Sequence, residues 1–230
     1  MSDSPTPEKI IRVLLIDDHP FLRQGVAMTL ESAGDIKVIG EADTASAGID
    51  AVRALKPDVV VSDLTLPDKS GIDLTRTLVA EHPDISVLIL SMHEEGLYAE
   101  RCIRAGAKGY VMKSEGPDHL VDAVRTVASG RLYAGQELAQ RLLSLLNSPT
   151  PPSPDRDGGL QTLSDREFEV FELVGRGHTA KEIGAMLGLS SKTVDVHRAR
   201  IRNKLNLGTT PDLTHYAVRW VQAKDGGVAL

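Results

Sequence analysis

Five short runs rich in aliphatic and β-branched residues, Arg12 to Ile16, Lys37 to Glu41, Val59 to Ser62, Ser86 to Leu90 and Gly109 to Met112, alternate with helical patterns. No other feature constrains the fold as much. Strands separated by helices at this spacing need crossover connections, crossovers are right-handed, and the product is a parallel sheet covered on both faces. Helix signals fill the gaps. Pro20 suits a first helical turn, Leu22, Val26 and Leu30 follow at fourfold spacing, and Gly34 closes the segment. Thr44 can cap a second helix ending before Pro57, Pro83 stops a third that starts near Gly71, and Glu94 to Ala105 and Pro117 to Ala128 complete a doubly wound (βα)5 plan over residues 10–130.

A further amphipathic stretch carries Leu138, Leu142, Leu145 and Leu146, and the composition then changes abruptly. Ser148 to Gly159, rich in Pro, Asp and Gly, has no periodicity and reads as a flexible linker, so that residues 131–160 form a linker helix and linker. Beyond it, Ser164 and Glu167 make a capping box for a helix with Phe168, Phe171 and Val174, which Gly175 and Gly177 are expected to end. Thr179 or Ala180 opens a short second helix, Gly188-Leu-Ser190 turns, a third helix runs from about Ser191 to Leu205, and Thr210-Pro211 starts a fourth. Residues 161–226 are expected to form a small all-α helix-turn-helix domain.

The composition is that of a globular chain, and no apolar run approaches the roughly 18 residues that span a bilayer. The polar start, Met1 to Glu8, is unlike a secretory signal, and a cytoplasmic location is expected. The single cysteine, Cys102, excludes an internal disulfide and any Cys-based zinc site, and reads as a packing thiol rather than a nucleophile. The net charge of −6 is unevenly spread: residues 160–230 hold 10 Lys and Arg against 8 Asp and Glu, a net of +2, so that residues 1–159 carry −8.

Asp17 and Asp18 end the first strand run and Asp63 the third. The C-terminal ends of parallel strands are where open α/β sheets bind ligands. Carboxylates about 4 Å apart at an effective dielectric near 20 repel by roughly 4 kcal/mol, so the trio calls for a cation. Oxygen-only ligands suit Mg2+, which takes one or two carboxylates and a phosphate. Asp63 is followed by a loop stiffened by Pro67 and closed by Gly71; Ser91 ends the fourth strand, and Lys113 follows the fifth, three residues after Tyr110. Carboxylates, a hydroxyl and an ammonium therefore converge on one sheet edge, an arrangement for phosphoryl transfer in which charge neutralisation rather than acid catalysis is needed.

With this spacing, Asp17-Asp18, Asp63, Pro67, Gly71, Ser91, Tyr110 and Lys113 resemble the receiver domain of two-component response regulators, a flavodoxin-like fold. The resemblance implies that Asp63 accepts the phosphoryl group from a sensor histidine kinase and that Asp18, Asp63 and the backbone carbonyl of Thr65 ligate Mg2+. It further implies that Asp17 holds a metal-bound water, Lys113 neutralises phosphoryl oxygens and Ser91 donates its hydroxyl. Movement of Ser91 would vacate volume into which Tyr110 rotates, remodelling the nearby surface. Tyr110 as a half-buried packing ring is the plainer alternative.

Leu163-Ser-Asp-Arg-Glu167, Ala180-Lys-Glu-Ile183, Leu189-Ser190 and Thr193 to Leu205 resemble the LuxR-type helix-turn-helix, and with the receiver they point to the NarL/FixJ subfamily. Val194, Ile201 and Leu205 share one helical face and should pack inward. Lys192, Val196, Ala199, Arg200 and Asn203 point the other way, with Thr193 and Lys204 on one flank and Arg202 on the other. Lys192, Thr193, Val196, Ala199, Arg200 and Lys204 are the expected DNA contacts, cations toward phosphates or guanine and small apolar groups toward thymine methyls. His197 is expected to pack or touch phosphate rather than bind metal. Asp195 puts an anion where relatives often carry a base; it would repel phosphate unless it accepts a hydrogen bond from cytosine or pairs with Arg198 or Arg202. Leu213, Tyr216, Ala217 and Trp220 on the fourth helix offer either a dimer surface or core packing.

The resulting expectation is a phosphorylation-switched transcription factor, not a metabolic enzyme, with Mg2+ as cofactor. Its expected partners are the kinase and promoter DNA, on which it binds as a homodimer, with RNA polymerase a further candidate. Two rivals are a Mg2+-dependent phosphohydrolase, disfavoured by adjacent rather than alternate aspartates, and a phosphorylation-independent regulator, disfavoured by the retained Asp63 and Lys113.

Overall fold

The computed structural model describes residues 10–92, 96–135, 138–140 and 159–225. The chain divides into two compact units, Met1–Leu146 and Asn147–Leu230.

In the first unit, strands β1 (Ile11–Ile16), β2 (Ile36–Ala42), β3 (Val59–Asp63), β4 (Ser86–Ser91) and β5 (Gly109–Met112) form one parallel sheet in the order β2-β1-β3-β4-β5. Helices α1 (Pro20–Glu31), α2 (Ala45–Leu55), α3 (Gly71–Glu81) and α4 (Gly96–Arg104) connect successive strands, and α5 (Pro117–Ala128) follows β5. The expected bounds hold within a residue or two. The expected start of α4 at Glu94 lies outside the described residues.

Period-2 alternation distributes the strand side chains. Val13, Leu15, Val59, Val61, Leu88, Leu90 and Val111 meet Val26 and Leu30 of α1 and Leu120, Ala123, Val124 and Val127 of α5 in one buried layer. The alternate residues, including Leu14, Ile16, Val60, Ile89 and Tyr110, are equally buried on the opposite face. Each such side chain contributes roughly 1.5–3 kcal/mol on burial, which fixes which residue of each strand comes last before the loops. The strand order reverses beside β1, so β1 and β3 are neighbours although β2 lies between them in sequence. Ile16 pairs with Ser62. One residue further along, Asp17 follows the end of β1 and Asp63 is the last residue of β3.

In the second unit, a single 3-10 turn (Leu160–Thr162) precedes α6 (Asp165–Gly175), α7 (Ala180–Met186), α8 (Ser191–Lys204) and α9 (Thr210–Asp225). Ser164 with Glu167 and Thr179 with Glu182 form complete capping boxes, and Ser190 caps α8 through the Thr193 N–H. Gly175 has a different role from the expected helix stop. It is the last residue of α6, and a Cβ there would overlap the Ala217 carbonyl of α9; Gly177, at φ +88°, makes the turn. The structure also decides the role of α9: Leu213 and Ala217 are fully buried, and Trp220 packs edge-on against Phe168 and Phe171 with ring centroids 5.4 and 5.7 Å away. Tyr216 meets Phe171 at 5.7 Å. Leu213 and Ala217 thus belong to the core, while Tyr216 and Trp220 pack against it half-buried.

Of the expected linker helix, residues 138–140 are helical, with Leu138 buried. Leu142, Leu145 and Leu146 lie outside the described residues, as does the expected linker from Ser148 to residue 158.

Candidate functional site

The β1 and β3 register delivers two buried carboxylates, Asp17 and Asp63, each 6% exposed, while Asp18 stays at the surface. The β4 and β5 register pairs Ser91 with Met112, and the Lys113 N–H donates to the Ser91 carbonyl at 2.7 Å. From there the Lys113 side chain crosses toward β3 and β1. Its ammonium, 4% exposed along the side chain, lies 2.8 Å from Asp17 Oδ2 and 2.8 Å from Asp63 Oδ2. One buried cation thus neutralises one of two buried anions, with Asp18 adding a further negative charge. Burial pushes the Asp63 carboxyl above its ordinary value; the charge and hydrogen bond of Lys113 pull the other way, and the neighbouring Asp17 adds to the rise.

Two residues at this edge escaped the sequence reading. His19 Nδ1 lies 2.8 Å from Asp18 Oδ1 and 3.2 Å from Asp17 Oδ1, and the His19 backbone N–H donates to Asp17 Oδ1 at 2.8 Å. Arg23, on the first turn of α1, donates to the Asp17 carbonyl at 2.5 Å and pairs with Glu41 at 2.6 Å, fixing the exit of β1. The only signal for His19 was its place directly after two aspartates. One ligand atom from each of Asp17, Asp18, His19 and Asp63 lies within 4.8 Å of the others. This compact set, dominated by carboxylate oxygens, fits a small hard divalent cation such as Mg2+.

The loop after Asp63 is held at three points. The Thr65 N–H reaches back to Asp63 Oδ1 at 3.4 Å, and Thr65 bridges to Ser70. The Gly71 N–H donates to the Leu64 carbonyl at 2.7 Å, and a Cβ at Gly71 would overlap the Asp63 carbonyl oxygen and lie 2.9 Å from Leu64 Cα. Only glycine lets α3 start this close to the strand. Asp68 accepts from the Ala45 N–H at 2.8 Å, the Ser46 N–H at 2.9 Å and the Ser46 hydroxyl at 2.7 Å, which ties the loop to the start of α2. Burial alone would raise the Asp68 carboxyl, but these bonds outweigh it and hold it below its ordinary range. The sequence reading did not single out Asp68, since its partners lie more than twenty residues away.

Ser91 and Tyr110 are both fully buried. Tyr110, opposite Ile89 in the β4–β5 ladder, is enclosed rather than half-buried. Beside Lys113, a groove of about 300 Å3 runs between α1 and α5, walled by Leu22, Val26, Val111 and Leu120. Phe21, on the first turn of α1, is 91% exposed.

In the second unit, Val194 and Ile201 anchor α8 inward, and Lys192, Asp195, Val196, Arg200 and Asn203 are exposed; Thr193 and Ala199 are half-buried. Lys204 is exposed, and its ammonium lies 2.7 Å from Glu167 Oε2 and 3.0 Å from the Thr162 carbonyl. Burial would raise the Glu167 carboxyl, but the bonds from Lys204 and the Ser164 N–H outweigh that and hold it below the usual range. Leu205, expected to pack inward, is half-buried. His197 is half-buried with Nδ1 unpartnered, and burial, with Arg200 second, lowers its pKa. The Thr193 hydroxyl lies 2.8 Å from that of Ser190 within the cap. Cys102 is fully buried, as a packing thiol should be.

Both units match known families. Residues 13–125 match the family described as response regulator receiver domain, and residues 161–217 match bacterial regulatory proteins, luxR family. The response regulator UvrY of Escherichia coli (strain K12) is 35% identical over 91% of this chain and 94% of its own length. The response regulator GacA of Pseudomonas aeruginosa is 35% identical over 91% of this chain and 96% of its own. Among solved structures, RcsB from Salmonella enterica serovar Typhimurium, bound to promoter P1flhDC in the presence of phosphomimetic BeF3−, aligns with a TM-score of 0.62 and 26% identity, covering 90% of this chain and 98% of that one.

Proposed function

The chain belongs to the response regulators that join a receiver domain to a LuxR-type DNA-binding domain, and on that premise we propose a transcription factor switched by phosphorylation of Asp63. The proposed division is a receiver over residues 10–130, a linker over 131–160 and the DNA-binding domain over 161–226. The observation that carries the reading is the Lys113 ammonium at 2.8 Å from both Asp17 and Asp63, a cation held ready where phosphoryl oxygens would arrive.

In the proposed transfer, an Asp63 carboxylate oxygen attacks the phosphorus of a phosphohistidine on a sensor kinase. The O–P bond forms as the P–N bond breaks, and the imidazole leaves with the electron pair. Asp18, Asp63 and the Thr65 carbonyl would hold Mg2+, with Asp17 acting through a bound water; bound there, the ion supplies charge neutralisation at the phosphoryl oxygens. Lys113 moves with the new anion, Ser91 donates its hydroxyl to it, and Tyr110 turns into the volume that Ser91 leaves. The groove beside Lys113 and the bare Phe21 give the kinase an apolar surface next to the acceptor.

The DNA-binding domain would place the exposed face of α8 in the major groove, led by Lys192, Val196 and Arg200. Thr193 and Ala199, half-buried, would contribute at the margin. Two copies would bind together, since few cations per helix limit the affinity of one. RNA polymerase is a further proposed partner. Such a protein acts as a regulator rather than a metabolic enzyme, and in the cytoplasm; among the described residues no helix is long and apolar enough to cross a membrane.

The test is acetyl phosphate labelling with Mg2+, followed by DNA binding and sedimentation, for wild type and Asp63→Asn. Wild type should incorporate phosphate, self-associate and bind promoter DNA more tightly. Undiminished labelling of Asp63→Asn would overturn the assignment of the acceptor.

A further inference from the structure

We infer that Asp195 reads a cytosine in the operator and so sets part of the chain's DNA specificity. The inference rests on the reading of α8 as the helix that enters the major groove.

Asp195 lies in the second turn of α8, near Lys192 and Ala199 at i−3 and i+4, on an exposed flank about 100° round the helix from the buried Val194. Its side chain is exposed, and among the described residues no cation pairs with it. Three cations stand within reach along the helix and none pairs with it: Lys192 at i−3 makes no ion pair with it, Arg198 Nη2 points to the His178 carbonyl at 3.4 Å and Arg202 Nη1 to the Gly208 carbonyl at 3.5 Å. At i+4 stands Ala199, which offers no charge. The domain therefore presents a bare carboxylate on the surface proposed to face nucleic acid.

An unneutralised anion cannot rest against phosphates, because like charges repel at that range. A base edge is different. In the major groove only cytosine N4 and adenine N6 carry donors, and adenine sets its N7 acceptor beside N6, where a carboxylate would meet a lone pair. Cytosine has no acceptor next to N4 on that edge, so it is the base a carboxylate selects. The early turns of a recognition helix are also the ones that approach base edges. A stabilising interaction with the helix dipole is a weaker account, since that effect fades beyond the first turn and Asp195 is the fifth residue of α8.

The test is selection of binding sites from random DNA duplexes by the full-length chain with acetyl phosphate and Mg2+, for wild type and Asp195→Asn. Wild type should enrich one strand-defined cytosine in each half-site, and changing that cytosine to thymine, which replaces a donor by an acceptor, should weaken binding roughly tenfold. Asp195→Asn should lose this discrimination and accept adenine, with its thermal melting unchanged. Equal cytosine-to-thymine ratios for the two proteins would overturn the inference while leaving DNA binding intact. So would a uniform gain in the affinity of Asp195→Asn for every sequence, with a steeper salt dependence, because that result places the carboxylate against phosphate. If wild type enriches no duplex, the DNA-binding reading itself fails.

Discussion

The Lys113 ammonium lies 2.8 Å from Asp63 Oδ2, with both side chains under a tenth exposed and 50 residues apart in sequence. The same ammonium is equally close to Asp17. The ion pair therefore restrains the Asp63 carboxylate and balances part of the charge that would otherwise destabilise the sheet edge.

Replacing Lys113 by Met removes that balance. Breaking a buried pair by deleting one partner leaves an uncompensated charge, at a cost of about 3–5 kcal/mol. Urea unfolding without divalent cation should show a loss of this order, and added Mg2+ should recover more stability in the variant than in wild type.

The raised Asp63 carboxyl has a definite consequence for pH. With the folded value above the unfolded one, the native state holds the proton more tightly. The stabilisation is complete below the unfolded value, about 3.9, and is lost as pH rises through the folded value. At neutral pH the ionised Asp63 is then a net cost to the metal-free protein. Asp63→Asn should be more stable than wild type at pH 7 without Mg2+, and the difference should shrink on acidification. Mg2+ affinity, followed by calorimetry, should begin to fall at a pH above the usual aspartate range.

Gly71→Ala tests the close approach of α3 to the end of β3. The added methyl would overlap the Asp63 carbonyl oxygen, and the backbone there must shift. Overpacking of this kind costs about 1–3 kcal/mol. Phosphate incorporation should fall together with stability, because the displaced atoms belong to Asp63, the proposed acceptor.

Trp220 is the chain's single tryptophan, so its fluorescence reports the second unit alone. Packed on Phe168 and Phe171, it should act as core, and Trp220→Ala should lower the stability of an isolated 159–230 fragment by about 3–5 kcal/mol if that fragment folds, or of the second transition in the full chain if it does not. Circular dichroism follows the variant, which lacks the fluorophore.

Lys204→Met should act on stability rather than on DNA affinity, since its ammonium is bonded to Glu167. Glu167 is depressed in the folded state, so its stabilisation is present above the unfolded value, about 4.3, and is lost as pH falls through the folded one. Without Lys204, acid unfolding should begin at a higher pH. The salt dependence of DNA binding should be unchanged.

Sequence alone determined the alternation of strands and helices, the strand ends at Asp17 and Asp63, the capping box at Ser164, and the inward face of α8 at Val194 and Ile201. These follow from local rules: side-chain period, the hydrogen bonds of a cap, and the stereochemistry of proline and glycine. Tertiary structure alone decided which groups meet. Lys113 touches Asp17 across 96 residues, Asp68 closes the start of α2 from another loop, Lys204 pairs with Glu167, and Trp220 packs against Phe168 and Phe171. Periodicity tells which face of an element is buried, but not what covers it. That depends on strand order, register and helix packing, which are set by the whole core at once and leave no mark at any single position.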